Sequence, residues 1–427
     1  MNKTIITNIR MPDKQALGYV VIGGDGKIEK LTDGLPQKDE TITTTIDGEG
    51  HILSFAFFDM RVTINNLVEV DSLYRWSQLL FAGGVTEASS VPSDKNPLDD
   101  AKLVRAFLSM ANNTTETYAD IHCYGAMTKR RQGQELAEYG LMGIAGALGL
   151  CDGNHNLATS DSFWRILRYA KNFDSLILAH PEEPTISHSQ TVMTDTLLAN
   201  RLGLTTAPAI TEALQLQRDI ALVELVGCRY HAGPITTRAG VDIIRQAKKN
   251  GLHISVDTAP HYFALNETAI GQYLTHAKLS PPLRCEDDRQ AIIEAILDGT
   301  IDIIASDHKP LHDDKKRLPF ALAAVGMASI ETMLPLMITI LHGEYKMPLA
   351  KLLAMITDKP RGLCRLLEHK SLAVGNIADI VLLDDKTEWT IDSVVFHSPS
   401  KNTPLDGYKV RGRVVKTFKK GKLVFSG

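Results

Sequence analysis

Between residues 52 and 307 the chain repeats one pattern: a short apolar, β-branched run, a turn, and then a stretch with helical spacing. Strands that alternate with helices return in the same direction, which predicts a parallel sheet covered by helices. The candidate strands span 52–63, 84–91, 119–127, 143–151, 175–180, 227–235, 253–260 and 301–307, with helices at 72–81, 160–172, 209–226, 238–250 and 287–297. Eight such units predict a (β/α)8 barrel, whose site forms at the carboxyl ends of the strands. Polar and unusual residues gather at those ends: Arg61, Thr63, Cys151, Asp152, His180, His231 and Asp307.

Both ends of the chain have a different texture. Short strands are expected at 18–22, 27–30 and 41–46, with a hairpin-like Gly23-Gly24-Asp25-Gly26 between the first two. The tail returns to it at 377–383, 389–395 and 409–425. A small β-sandwich domain drawn from residues 1–54 and 373–427, flanking a barrel domain over 55–372, is the expected organisation.

At 427 residues there is ample chain for a barrel and a smaller domain. A net charge of −4 offers no broad attraction to nucleic acid or an anionic membrane. The longest apolar stretch, 141–151, is interrupted by glycine and falls short of the roughly 20 residues that span a bilayer. Five dispersed cysteines (Cys123, Cys151, Cys228, Cys285 and Cys364) without CxxC spacing suit reduced thiols. With no signal peptide evident at the N-terminus, a cytoplasmic protein is expected.

The first barrel strand ends in Phe57-Phe58-Asp59-Met60-Arg61-Val62-Thr63. An apolar run closing on Asp-x-His-x-His begins the site of many metal-dependent hydrolases, since alternate strand residues face the same way and bring both imidazoles to the metal. Arg61 and Thr63 stand in those two places. A guanidinium has no lone pair to give and repels a divalent cation.

Several ordered stretches carry a family resemblance: Phe81-Ala82-Gly83-Gly84-Val85-Thr86, Ala179-His180-Pro181-Glu182-Glu183, Thr258-Ala259-Pro260-His261-Tyr262 and Pro281-Pro282-Leu283-Arg284. The longest runs from Asp298-Gly299-Thr300-Ile301 through Asp302-Ile303-Ile304-Ala305 to Ser306-Asp307-His308. With them the chain resembles the class I dihydroorotases of the amidohydrolase superfamily along nearly its whole length. The resemblance implies a binuclear zinc centre that acidifies a bridging water and polarises a ring amide. The chain departs from that centre at several places. The paired histidines fall on Arg61 and Thr63, the bridging carboxylate on Cys151 with Asp152 beside it as the alternative register, and a further imidazole on Pro234. His180 matches a zinc ligand, and Asp307 matches the last ligand and general base. The groups that grip the substrate carboxylate fall on Asn65, Ser93 and Ser280.

Two readings of Cys151 stand, an inert small hydrophobe or a soft zinc ligand, the latter with His180 and Asp307 in a mononuclear site. Arg61 either forms an ion pair near Asp307 in the vacated space or fills the hole. His231 aligns with a histidine outside the ligand set and reads as packing. On the resemblance, the leading expectation is a catalytically inactive dihydroorotase homologue. It would need no cofactor, with Asp307, His180 and Cys151 as vestigial positions, and would serve as a structural subunit of aspartate transcarbamoylase in pyrimidine biosynthesis. Its partner would be that enzyme's catalytic chain, with this chain itself a homo-oligomer inside the hetero-oligomer; residues 112–116, 129–134 and 311–318 are its candidate contact loops. The alternatives are a dihydroorotase or related cyclic-amide hydrolase with a mononuclear zinc or metal-free site, and a small-molecule sensor.

Overall fold

The computed structural model describes residues 3–36, 42–65, 67, 72–112, 117–155, 159–187, 192–366, 368 and 370–427. Most of the candidate loop at 112–116 therefore lies outside the described residues. Five strands open the chain: β1 (Lys3–Arg10), β2 (Leu17–Ile22), β3 (Ile28–Asp33), β4 (Ile42–Asp47) and β5 (Ile52–Phe55). Three close it: β15 (Ile380–Thr390), β16 (Lys409–Lys419) and β17 (Lys422–Ser426). All eight share one sheet in the order β17-β16-β15-β5-β1-β2-β3, with β4 beside β1. Strand alternation divides the work of β15. Ile380 and Leu382 face the small core with Ile6, Val20, Leu53 and Phe418, whereas Val381 and Leu383 join the barrel core.

The barrel strands are β6 (Phe57–Val62), β7 (Val85–Ser90), β8 (Asp120–Cys123), β9 (Ile177–Ala179), β12 (Tyr230–Ala232), β13 (Ser255–Thr258) and β14 (Ile303–Ile304); β10 (Met193–Thr194) and β11 (Thr206–Ala207) pair outside it. Parallel pairing runs β6-β7-β8 and β9-β12-β13-β14. Leu150 bridges the two arcs through Gly125 and Ile177, and the pair Val62–His308 closes the ring. The helices are α1 (Ser72–Ala82), α2 (Ala101–Asn112), α3 (Tyr139–Ile144), α4 (Ser160–Lys171), α5 (Leu197–Leu202), α6 (Ile210–Val226), α7 (Arg238–Lys249), α8 (Pro260–Ala264), α9 (Glu286–Asp298), α10 (Ile330–Leu336), α11 (Leu349–Ala354) and α12 (Asp358–Leu363). Threonine caps start three of them: Thr159 accepts from Ser162 N at 3.1 Å, Thr196 from Ala199 N at 3.3 Å and Thr237 from Gly240 N at 3.0 Å.

The sequence expectations fail in four local places. The run 52–63 is not one strand; it divides at Ala56, giving β5 to the small sheet and β6 to the barrel. The fourth barrel strand, expected at 143–151, is reduced to the bridge at Leu150, because α3 occupies its start and Gly146 turns the chain at φ 107°. The segments expected at 377–383 and 389–395 are not two strands: one strand, β15, runs from Ile380 to Thr390, and a 3₁₀ turn follows at Ser393–Val395. The run 409–425 is two strands, β16 and β17, joined by a turn at residues 420–421. The two sheets are tied by Lys419, whose Nζ donates to Asp120 and Asp379 at 2.7 Å each.

A charged lattice at the barrel mouth

The sequence-derived positions meet at the carboxyl ends of the strands, and a charge holds their centre. Arg61, on β6, is buried and reaches across the barrel to Asp257 on β13. Its Nη2 and Nε donate to the same Asp257 oxygen, Oδ2, at 2.8 and 3.1 Å. His231 of β12 places Nε2 3.0 Å from that oxygen and Nδ1 2.8 Å from Ser255 Oγ. A carboxylate only accepts, so Nε2 carries a proton. Burial alone would push the Asp257 carboxyl up; the Arg61 charge and the His231 bond outweigh it and hold it below the usual carboxylate range. Burial opposes the Arg61 cation as well, but the carboxylates of Asp257 and Asp307 more than offset this. The expected partner of Arg61 is thus corrected: the ion pair is with Asp257, and Asp307 acts on it only through its field. The reading of His231 as packing is corrected too, since both ring nitrogens are engaged.

The remaining groups are arranged around this pair. Asp59 Oδ1 accepts from Arg61 N and Ser306 N at 3.2 Å each, while its buried Oδ2 has no partner among the described residues. Burial pushes its carboxyl up to about 6, with the Ser306 bonds acting against the rise. Asp307 sits half-buried at the mouth in a left-handed conformation, φ 50°. Burial raises it to about 6 as well, against the fields of Arg61 and Lys309. His180 is buried, with Nε2 3.3 Å from Glu182 Oε2, and Ser187 donates to the other Glu182 oxygen. Cys151 accepts from Gly153 N at 3.1 Å, and burial pushes its thiol up, so the sulfur stays protonated.

Asp152, the alternative register for a bridging carboxylate, is spent elsewhere. Its oxygens accept from Met127 N at 2.8 Å, Thr128 N at 3.1 Å and Thr128 Oγ1 at 2.6 Å, which pins the loop after β8. His308 accepts from Ser329 N at 3.0 Å through Nδ1, and burial lowers its pKa to about 3, so its ring is neutral. Above the lattice opens a cavity of about 1080 Å³ whose lining includes Thr63, Asn65, Ser93, Ser280 and Lys309. Ser93 donates to Asn65 Oδ1 at 2.7 Å, so two of the three positions aligned with the carboxylate grip bond to each other.

The donor set does not fit a binuclear zinc centre. Arg61 offers no lone pair, Thr63 a neutral hydroxyl, and Pro234 no side-chain donor. Among the described residues no three His, Cys, Asp or Glu side chains converge as a metal cluster. The same holds for the mononuclear alternative: Cys151, His180 and Asp307 do not converge as a cluster among the described residues, and the imidazole is turned onto Glu182.

Sequence reasoning passed over Asp257, Ser255, Glu182 and Lys309. Asp257 did carry a signal: a carboxylate inside a buried candidate strand needs a partner there, such as a buried cation. No local spacing named that cation, which lies 196 residues away.

A (β/α)8 barrel with a sheet built from both termini and a polar mouth is the architecture of an amidohydrolase. A family model described as Amidohydrolase family matches residues 166–424, and one described as Dihydro-orotase-like matches residues 65–240. A protein named dihydroorotase from Syntrophotalea carbinolica is 33% identical over 429 residues, 99% of each chain. Another of that name, from Desulfotalea psychrophila, is 36% identical over 352 residues, 82% of each. The chain belongs to the dihydroorotase-like group of the amidohydrolase family. Its fold matches the L-hydantoinase of Arthrobacter aurescens with a TM-score of 0.84 at 23% identity, covering 100% of this chain and 96% of that one. The dihydropyrimidinase of Brevibacillus agri matches with a TM-score of 0.82 at 20% identity, covering 99% and 95%. Among the described residues no helix is long and apolar enough to cross a membrane.

Proposed function

We propose that this chain is a non-catalytic member of the dihydroorotase family that serves as a structural subunit of aspartate transcarbamoylase. The observation that carries the first half is the Arg61–Asp257 ion pair at the centre of the mouth, where the family chemistry needs a metal-activated water. Without a metal, water keeps a pKa of about 15.7 instead of about 7, and hydroxide is scarce at neutral pH. The nearby carboxylates do not replace it. Asp59 has one oxygen committed to two backbone N–H groups, and Asp307 lies in the field of two cations. The assembly half rests on the family resemblance, combined with the retention of a complete barrel and sheet around a site whose ligand positions have changed.

The test is co-expression with an aspartate transcarbamoylase catalytic chain, followed by sizing and assays of both activities. The expected result is a stable complex without dihydroorotate hydrolysis. A partner that elutes alone and is equally active without this chain overturns the structural role. A second reading, a cyclic-amide hydrolase with a reduced site, is favoured by the open cavity and the half-exposed Asp307. Dihydroorotate turnover that is abolished by Asp307→Ala would establish it.

A further inference from the structure

The cavity over the lattice gathers basic groups that neither reading of the function uses. Lys309 lines it two residues beyond Asp307, with its backbone N–H fixed on Met327 O at 2.9 Å. Its stem lies against Gly326, where a Cβ would stand 2.8 Å from both Cγ and Cδ, so the glycine leaves the stem its room. Yet Lys309 Nζ has no hydrogen-bond or ion-pair partner among the described residues. Arg131 is 5% exposed and donates through Nε to Asp152 O at 3.0 Å and through Nη1 to Asp94 Oδ1 at 2.9 Å. Its Nη2 is left without a bond among the described residues. Burial lowers the Lys309 ammonium, the Arg131 charge acts with it, and Asp307 acts against it. The His155 imidazole is likewise lowered by burial and then by Arg131, with Lys309 acting the same way. The three basic groups thus stand in one another's fields. The carboxylates lining the cavity are engaged, Asp94 by Arg131 and His155, and Glu182 by His180 and Ser187. Arg130 and Arg131, in the loop after β8, are both left-handed at φ 51° and 59°, a strained conformation for such side chains that clusters at binding sites.

We propose that the mouth binds a small organic anion, its carboxylate or phosphate group gripped by Lys309 Nζ and Arg131 Nη2. Two cations held in each other's field, one of them with no counterion bonded to it, repel; an anion that bonds to both turns that repulsion into two charge-assisted hydrogen bonds. The ammonium supplies a point charge on a packed stem, and the guanidinium a fixed direction, since two of its other donors are already anchored. The cavity of about 1080 Å³ is at the upper end of small-molecule sites, roughly 300–1,000 Å³, so a bare ion would fill little of it. Val91, Leu279 and Val325 offer apolar wall to the rest of such a molecule. This grip is distinct from the one that the resemblance places at Asn65, Ser93 and Ser280, two of which bond to each other. The inference holds whether or not the chain is catalytic and whatever it assembles with.

Titration calorimetry of the full chain at constant ionic strength tests it, with inorganic phosphate and succinate as separate probes. One of the two is expected to bind once per chain with a Kd on the order of 0.1–5 mM, and which one does so tells a phosphate site from a carboxylate site. Lys309→Met is expected to weaken that binding at least tenfold and Lys309→Arg to restore most of it. Neither should lower the melting temperature by more than a degree or two, since the ammonium they replace has no partner in the fold. Lys95→Met, which removes an exposed cation from the same rim, and Asn65→Ala/Ser280→Ala are expected to leave the Kd within twofold. Failure of both probes to bind below about 10 mM would overturn the proposal. So would equal losses from Lys309→Met and Lys95→Met, which would reduce the effect to general charge. Binding that survives Lys309→Met but is lost in Asn65→Ala/Ser280→Ala would overturn it as well, by returning the anion to the family's grip.

Discussion

Replacing Arg61 with Met should expose how much of the barrel's stability rests on one buried ion pair. Arg61 and Asp257 are 3% and 0% exposed, so neither charge has water to fall back on. Met fills similar length without charge. It leaves Asp257 Oδ2 with His231 alone, while Oδ1 already has no partner among the described residues. Removing one member of such a pair typically costs about 3–5 kcal/mol, because the other charge stays buried and uncompensated. At about 2.1 cal/mol/K of unfolding entropy per residue, a chain of 427 residues loses roughly 1 °C per kcal/mol, so the melting point should fall by about 3–6 °C. The pH dependence has a definite sign. In the wild type the Asp257 carboxyl is held below its usual range, so its contribution is present at neutral pH and is lost as pH falls through that low value. In Arg61→Met the same carboxyl is buried without its cation, and its pKa moves up. The folded variant then retains a proton that the unfolded chain gives up, and it is weakened as pH rises. The difference between the two proteins should therefore be larger at pH 8 than at pH 5. Urea titrations of the wild type, Arg61→Met, Asp257→Asn and the double variant would measure it. The double variant should be more stable than the sum of the single losses implies, by roughly 1–3 kcal/mol. Strict additivity, or a loss under about 1 kcal/mol for Arg61→Met, would refute the account of the pair.

Three further outcomes follow from the same geometry. Asp59→Asn should stabilise the protein above about pH 6 and have little effect below pH 4. The buried carboxyl, raised from 3.8 to about 6, favours the folded state only while protonated, and the amide retains the oxygen that accepts from Arg61 N and Ser306 N; urea midpoints at pH 5 and pH 8 would show it. Gly233→Ala would place a Cβ 2.0 Å from Asp257 Oδ1, so it should cost about 1–3 kcal/mol in the wild type and markedly less in an Asp257→Ala background. Arg61→His/Thr63→His should neither bind zinc stoichiometrically by elemental analysis nor hydrolyse dihydroorotate. Cys151, Pro234 and the altered Asn65, Ser93 and Ser280 remain in that variant, and residues that act as a unit are non-additive.

The barrel was legible because its signal is local and repeated. The α6 and α7 runs, the Asp298–His308 stretch and the apolar strand cores each announce themselves within a dozen residues. Strand 4 was not, because glycines and a short helix erase the alternation, and its whole contribution to the ring is one bridging residue, Leu150. The site divided in the same way. Arg61, Thr63, His180, Cys151 and Asp307 could be placed at the mouth from strand order alone. Their partners could not. Asp257 meets Arg61 only because β6 and β13 face each other across the barrel, and Asp152 turned out to bind a loop through three bonds that no spacing rule predicts. Ion pairs between distant strands are a property of closure, and closure is written nowhere in a single segment.

The centre of the mouth is more than a ligand set with members missing. A binuclear zinc centre would gather carboxylates and a nucleophilic water around about four positive charges. Here a single guanidinium spans the barrel, and the surrounding groups are matched to that smaller charge. Asp257 takes it directly, His231 completes the same oxygen, and Gly233 leaves room for the carboxylate where any Cβ would collide. Asp59, and Asp307 against the fields of Arg61 and Lys309, are pushed up by burial to about 6. Cys151 remains a thiol. The Arg61 charge is thus offset within its own buried pair with Asp257. Each change depends on another, since Arg61 without Asp257 strands a cation and Asp257 without Gly233 has no space. A route back to a metal site therefore has to undo the lattice as a whole, and restoring imidazoles at Arg61 and Thr63 alone leaves Asp257 buried without its cation, with only His231 bonded to it.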